Sequence, residues 1–319
     1  MAAILEATGL KKRYAPQNGQ KEGFLAVKDF NLSLERGEIF SLLGPNGAGK
    51  TTSISMMSGL IAPTAGDVLI NGKSIVREPL AVKHMIGVVP QEIALYPQIS
   101  ARANLEFFGK MYGLTGAILA KRCDEVLEFI GLKDRQNERV ESYSGGMKRR
   151  VNIGVGLLHK PQLVFMDEPT VGIDPQSRRS ILDAVKDLNA QGMTVLYTTH
   201  YMEEAQELSN RVGIFDHGEL VACGNQAELM SLVGERDTIL IKIGDAAPQA
   251  AQIVGALSGI ESATVEGDTV RLLTGRGRQA LPAVIKALDE AQIALQAIEV
   301  REPNLETVFL HMTGRALRD

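Results

Sequence analysis

Tryptophan is absent from the 319 residues and aromatic residues make up only 5% of them, so stacking platforms for nucleic-acid bases are scarce. A basic excess is missing too: 34 lysines and arginines stand against 38 aspartates and glutamates, a net charge of −4, which gives a phosphate backbone no electrostatic footprint. Nucleic acid is therefore not expected as a partner. The two cysteines, Cys123 and Cys223, stand far apart without CxxC spacing. That excludes a disulfide framework or a metal knuckle and reads as two inert core thiols. No apolar run reaches the roughly 18 residues of a membrane-spanning helix; the stretch VGLLHKPQLVFM is interrupted by charge and proline. The N-terminal MAAILEATGLKKRY puts Glu6 ahead of its basic cluster and has no long apolar region, the reverse of a secretory signal, so a cytoplasmic location is expected.

With 45% hydrophobic and 23% charged residues, 32 glycines and 12 prolines, the remaining composition is that of an ordinary globular chain long enough for two domains. In the first two-thirds, EIFSLLG, DVLING, MIGVVPQ, LVFMDEP, TVLYTTH and RVGIFDHG read as strands separated by amphipathic segments, the alternation of an α/β sheet core. Between residues 100 and 142 the strands stop, and Leu119, Cys123, Val126, Leu127 and Ile130 recur at helical spacing, which predicts an inserted helical subdomain. From about residue 237 the order becomes βαββαβ with a closing helix, that of a small α+β ferredoxin-like unit. In the closing helix Leu305, Val308, Phe309 and Met312 fall on one face and predict core packing. The expected division is 1–230 and 231–319. The basic TGRGR loop, Thr274 to Arg278, reads as solvated. No internal repeat is visible, so a second nucleotide site would have to come from another chain.

The densest chemical signal is Gly44-Pro45-Asn46-Gly47-Ala48-Gly49-Lys50-Thr51, which fits GxxxxGK[ST] between the strand EIFSLL and the helix-compatible run that starts at Thr51 and Thr52. Glycines let backbone N–H groups wrap phosphates, the new helix aims its positive end at them, Lys50 neutralises β and γ oxygens, and the Thr51 hydroxyl suits Mg²⁺. A second strand, Leu163 to Met166, ends in Asp167 and Glu168 at the carboxyl edge, where open α/β sheets bind ligands. Asp167 is the candidate metal carboxylate, and Glu168 the candidate that polarises the attacking water. Ser144-Gly145-Gly146 opens a further helix as an N-cap with exposed backbone donors.

The run SGGMKRR followed by LVFMDEP resembles the signature and Walker B pair of ATP-binding cassette (ABC) ATPases, and the likeness extends along the chain in family order. Gln91 in VVPQE is similar to the Q-loop glutamine, which in that family touches metal and water. Asp174 in GIDP is similar to the D-loop, and His200 in YTTHYMEEA to the switch histidine that contacts the γ-phosphate. Tyr14 in KKRYA is similar to the aromatic that stacks on adenine. The C-terminal PNLETVFLHMTG resembles the accessory domain of the daunorubicin-resistance branch of bacterial exporters. Two positions depart from the signature pattern: Tyr143 stands where Leu is frequent, and Met147, which lacks amide hydrogen bonds, where Gln is frequent.

The resemblance implies an ABC ATPase core of the P-loop NTPase fold. Its cofactors would be ATP and Mg²⁺, its metal residues Thr51, Gln91 and Asp167, and its catalytic residues Glu168, His200, Gln91 and Lys50. It implies that two copies, or one with a homologous ATPase, sandwich two ATP, with Ser144, Gly145 and Gly146 of each closing the other's site. The partner would be an integral membrane permease at the cytoplasmic face of the membrane. A soluble ABC-type motor acting on ribosome or nucleic acid is the alternative, and it would carry tandem cassettes or a coiled-coil insertion; neither is visible. A P-loop GTPase would show an NKxD-like tetrapeptide, and none occurs.

Overall fold

The computed structural model describes residues 3–16, 23–232, 237–275, 277–301 and 304–314, which divide into two compact units between Asn225 and Gln226. Arg276 of the basic loop lies outside the described residues. The first unit runs β1 (Ala3–Arg13), β2 (Leu25–Glu35), β3 (Ile39–Leu43), α1 (Lys50–Met57), β4 (Ala65–Ile70), β5 (Lys73–Ser74), α2 (Pro79–Lys83), β6 (Ile86–Val89), α3 (Ala101–Met111) and α4 (Gly116–Phe129). It continues with α5 (Gly145–Leu157), β7 (Leu163–Asp167), α6 (Pro175–Ala190), β8 (Thr194–Thr199), α7 (Met202–Leu208), β9 (Arg211–Asp216) and β10 (Glu219–Gly224).

Its central sheet has the order β10-β9-β3-β8-β7-β6. Every pair is parallel except the edge pair β10 and β9. A parallel sheet covered on both faces demands strands that are apolar throughout. β3 (IFSLL), β7 (LVFMD) and β8 (TVLYTT) meet that demand and are buried at every position. Alternation then sorts side chains between two cores. Phe40, Leu42, Leu163, Phe165 and Leu196 face one that also holds Ile54, Met56 and Met57 of α1, and beyond them the sheet β2-β1-β4-β5. Val164, Met166, Val195 and Tyr197 face the other, against α5, α6 and α7.

The segment DVLING, read as one of the strands of the α/β core, pairs instead with β1 in that separate antiparallel sheet. Its strand character is local, but its partner is set by the long β1–β2 hairpin, whose irregular alternation hides it in sequence. In the helical region Leu119, Cys123, Val126, Leu127 and Ile130 share one core, and Tyr143, Met147 and Val151 of the α5 segment belong to it too, so this layer runs past residue 142. Burial pushes the Cys123 thiol up to about 11, which makes it inert. Cys223 corrects the expectation of two core thiols: it is exposed, because β10 is an edge strand.

The second unit consists of α8 (Gln226–Ser231), β11 (Asp237–Lys242), α9 (Ala247–Gly255), β12 (Ile260–Glu266), β13 (Thr269–Thr274), α10 (Gly277–Glu290), β14 (Ala297–Arg301) and α11 (Leu305–Thr313). Its sheet is antiparallel in the order β12-β13-β11-β14, the arrangement of a split βαβ pair. Ile239, Ile241, Val270 and Leu272 alternate onto the face covered by Ala250 and Val254 of α9 and by Val284 and Leu288 of α10. Leu305, Val308 and Phe309 of α11 are buried, and α8 packs against that helix.

Phe30 on β2 meets Phe215 on β9 edge to face at 5.6 Å, joining the antiparallel sheet to the parallel one through fully buried rings. Replacing Phe30 by Ala is expected to cost about 3–5 kcal/mol, as a cavity that neither sheet can close. Urea unfolding followed by circular dichroism checks this, and a loss near zero would show that the two sheets do not depend on this contact.

Candidate nucleotide site

The carboxyl ends of the parallel strands bring the sequence motifs to one edge. Gly44 follows β3, Gln91 follows β6, Asp167 and Glu168 close β7, and His200 follows β8. The loop that leaves β3 needs its glycines. Gly49 has φ 107°, and a Cβ there would lie 2.5 Å from the Ala26 carbonyl oxygen, so only glycine lets the loop turn into α1. Ala48 is buried beneath the loop, and its carbonyl accepts from Gly218 N at 2.9 Å.

Lys50 is almost wholly buried. Its Nζ donates to the carbonyls of Gly44 at 2.7 Å and Pro45 at 3.0 Å and pairs with Glu168 Oε1 at 2.8 Å. The other Glu168 oxygen lies 3.2 Å from His200 Nδ1. Glu168 itself has φ 43°, in the left-handed region that non-glycine residues avoid, at a cost of order 1–3 kcal/mol. Thr198 compensates: its carbonyl and hydroxyl oxygens both accept from Glu168 N, at 3.2 and 3.0 Å. The same hydroxyl donates to Asp167 Oδ1 at 2.6 Å.

Beside this cluster opens a cleft of about 390 Å³ lined by Tyr14, Phe24, Ala26, Asn46, Gly47, Gly49, Lys50, Thr51, Thr52, Gln91 and Glu168. Tyr14, Asn46, Gly47, Gly49, Lys50, Thr51, Thr52, Gln91 and Glu168, nine of the predicted site residues, therefore line one cavity, whereas Gly44, Pro45, Ala48, Asp167 and His200 do not. The Tyr14 hydroxyl is 3.5 Å from Thr52 Oγ1, and Lys12 Nζ stands 5.3 Å from the centre of the Tyr14 ring. Phe24 was not anticipated. It is 64% exposed, and its carbonyl accepts from Tyr14 N at 2.8 Å across the hairpin, so two aromatic residues flank the cleft mouth. A solvent-exposed aromatic in a chain poor in aromatics was the available signal.

Ser144, Gly145, Gly146 and Asp174 form a second cluster and do not line the cleft. Ser144 caps α5 by accepting from Met147 N at 3.2 Å, and Asp174 caps α6 by accepting from Ser177 N at 2.9 Å, a bond that holds its carboxyl below the usual value. Gly146 is the point of closest approach: a Cβ would come within 2.1 Å of Ser177 Oγ. Tyr143 and Met147 are buried in the helical layer, with the Tyr143 hydroxyl donating to Arg135 O at 2.6 Å and the Met147 sulfur accepting from Arg135 at 3.2 Å. The two departures from the signature pattern thus serve packing. Arg149 and Asn152, further along α5, were also missed. Arg149 donates to the carbonyls of Pro90 at 2.7 Å and Gln91 at 2.5 Å, while Asn152 accepts from Ala94 N at 3.3 Å. The helical layer is tied in this way to the segment that carries Gln91.

With this geometry in place, the ABC transporter sequence profile matches residues 27–171. The linearmycin resistance ATP-binding protein LnrL of Bacillus subtilis (strain 168) is 45% identical over 99% of this chain and 100% of that protein. The chain belongs to the ABC transporter ATP-binding proteins. It is 37% identical to Nod factor export ATP-binding protein I of Ralstonia nicotianae, over 99% of this chain and 95% of that protein. Among solved structures, the dimeric post-hydrolysis state of the ATP-binding cassette MJ0796 with ADP and Pi superposes with a TM-score of 0.63. It is 28% identical and covers 70% of this chain and 98% of that one. As an ABC ATPase the chain binds and hydrolyses ATP.

Burial raises the Asp167 carboxyl above its usual value, more than the Thr198 and Thr51 hydroxyls lower it, and the charge of Glu168 adds to the rise. An acid raised in the folded state stabilises the fold at low pH and loses that contribution as pH climbs through the raised value, so at neutral pH the ionised group is a cost. Asp167→Asn is expected to raise the melting temperature by about 2–4 °C at pH 7.5 without nucleotide or metal, with the gain fading toward pH 4. Scanning calorimetry at both pH values checks the sign; a variant that melts lower at pH 7.5 would contradict it.

Proposed function

We propose that this chain is the ATP-hydrolysing subunit of an exporter, acting at the cytoplasmic face of the membrane on a separate integral membrane permease. The observation that carries the reading is the split of the motifs into two groups. The phosphate loop, Gln91 and Glu168 line one cleft, with His200 held against Glu168, while the cap Ser144-Gly145-Gly146 stands with Asp174 outside it. A cap with unpaired backbone donors is an anion-binding end. In the proposed assembly it closes the cleft of a second copy, or of a homologous ATPase, so that ATP joins the two. Among the described residues no helix is long and apolar enough to cross a membrane, and the proposal assigns that crossing to the permease. LnrL is named for resistance and the Ralstonia relative for export, and export is the direction proposed here.

Within each cleft, the loop N–H groups of residues 46–51 bind the phosphates, and Lys50 neutralises β and γ oxygens. Tyr14 stacks on the base, with Phe24 beside it at the mouth and Thr52 at the start of α1. The donors available for a metal are the Thr51 hydroxyl, the Asp167 carboxylate and the Gln91 side-chain oxygen. An all-oxygen set with a single carboxylate fits Mg²⁺, which is bound by one or two carboxylates together with substrate phosphates. The described residues hold no cluster of three or more His, Cys, Asp or Glu that would suit a protein-only metal cage. When bound, Mg²⁺ supplies charge neutralisation across the phosphates. Glu168 orients and polarises the attacking water, and His200, through its contact with Glu168 Oε2, holds that carboxylate in place.

Glu168→Gln should lower ATP turnover about 10²- to 10⁴-fold while ATP and Mg²⁺ still bind. The variant should also elute as a dimer in gel filtration when ATP and Mg²⁺ are present. Affinity capture of this variant from its native cells in mild detergent should bring down a polytopic membrane protein. Capture of ribosomes or nucleic acid would keep the ATPase chemistry and overturn the transporter assignment, and parent-level turnover would overturn the role of Glu168. For the parent protein, turnover per chain should fall on dilution below the dimerisation range.

A further inference from the structure

Glu204, on the first turn of α7, is a carboxylate with 1% of its surface exposed and no part in the nucleotide chemistry described above. Four donors converge on it. Thr170 Oγ1 at 2.6 Å and Arg178 Nε at 2.7 Å bind Oε1; Thr199 Oγ1 at 2.7 Å and the Tyr197 hydroxyl at 2.9 Å bind Oε2. A buried carboxylate is costly unless its lone pairs are filled, and here charge-assisted bonds fill them. The donors are not a random set of neighbours. Thr170 lies two residues after Glu168, Thr199 immediately precedes His200, and Arg178 lies on α6, which Asp174 caps. The Thr199 hydroxyl, while donating to Glu204, also accepts from Tyr201 N at 2.9 Å, so the backbone is held on both sides of His200. Arg178 in turn lies over the Tyr201 ring at 4.1 Å, and that ring is 4.2 Å from the His200 ring.

We infer that Glu204 is the positioning residue for the Glu168–His200 pair, locking the loop after β7, the turn after β8 and the start of α6 into one geometry. The inference rests on the proposed roles of Glu168 and His200 and deepens them. Catalytic contacts misplaced by as little as 1 Å can cost about 100-fold in rate, whereas binding through the phosphate loop does not pass through Glu204. Loss of the network therefore separates turnover from affinity.

The experiment uses the full-length chain with ATP and Mg²⁺ and compares Glu204→Gln, His200→Ala and the double variant, with Thr199→Val as a milder substitution should Glu204→Gln fail to fold. Glu204→Gln is expected to lower kcat roughly 10- to 100-fold. The affinity for trinitrophenyl-ATP should stay within about twofold of the parent, and the loss should shrink in the His200→Ala background, because one member of the pair being positioned is gone. Thr199→Val should show the same epistasis with a smaller single effect. A residue that only supports the fold would lower kcat equally in both backgrounds or weaken nucleotide binding in parallel, and either outcome overturns the inference, as does a kcat within twofold of the parent. Parent-level turnover in His200→Ala alone would instead overturn the reading of His200 beneath it, and the inference with it.

Discussion

A buried ion pair, Lys50 to Glu168, ties the loop after β3 to the end of β7, and the geometry of the cleft depends on it. Both charges are nearly excluded from solvent, at 3% and 5% of their side-chain surfaces. Desolvating two charges outweighs much of their attraction unless further bonds satisfy them. Those bonds exist: the Lys50 ammonium also meets two loop carbonyls, and the second Glu168 oxygen meets His200. The pair is therefore less a source of stability than a means of holding two opposite charges apart from water at the edge of the sheet. The proposed mechanism uses the cation for the phosphates and the anion for the water at that edge, and the parallel sheet presents them after two strands that are buried at every position. The unfavourable backbone at Glu168 is tolerated for the same reason, since Thr198 on the neighbouring strand over-determines it.

Around this centre the fold has a rigid part and a linked part. The sheet and α1 are held by two continuous cores on either face. The helical layer has its own core, and α5 joins it to the sheet both through Ile153 and Leu157, packed with Val89 and Val164, and through polar bonds from Arg149 and Asn152 to the segment Pro90–Ala94. Glu204 gathers α6 and the loops around Glu168 and His200.

Legibility followed the range of the interaction. The five parallel strands of the central sheet were visible because burial on both faces demands unbroken apolar runs, whereas the antiparallel edge strand β10 was not read, and the phosphate loop was visible because a glycine pattern at fixed spacing is a local backbone requirement. DVLING was visible as a strand but not as a member of a second sheet, since alternation within six residues carries no information about the partner strand. β1 and β2 escaped notice because register shifts interrupt their alternation. Cys223 could not be told from Cys123: a small residue in an apolar stretch reads alike on an edge strand and in a helix core. Arg149 and Glu204 were invisible for a further reason, because Arg149 acts through Pro90 and Gln91 and Glu204 through Thr170 and Arg178, residues remote in sequence that nothing in their neighbours announces.

What the sequence determined by itself was the set of chemical groups and their order along the chain: the loop of residues 44–51, the carboxylates Asp167 and Glu168, the cap at Ser144 and the histidine at 200, each with a local reason for its residue types. Only the tertiary structure decided their distances. It set Glu168 between Lys50 and His200, stood the Ser144 cap away from the cleft, and turned a glutamate in an ordinary amphipathic helix into a buried hub for four donors. The reason is physical. Backbone conformation is chosen within a few residues, but burial, and with it the strength of every charge at the site, is chosen by which strands and helices pack together.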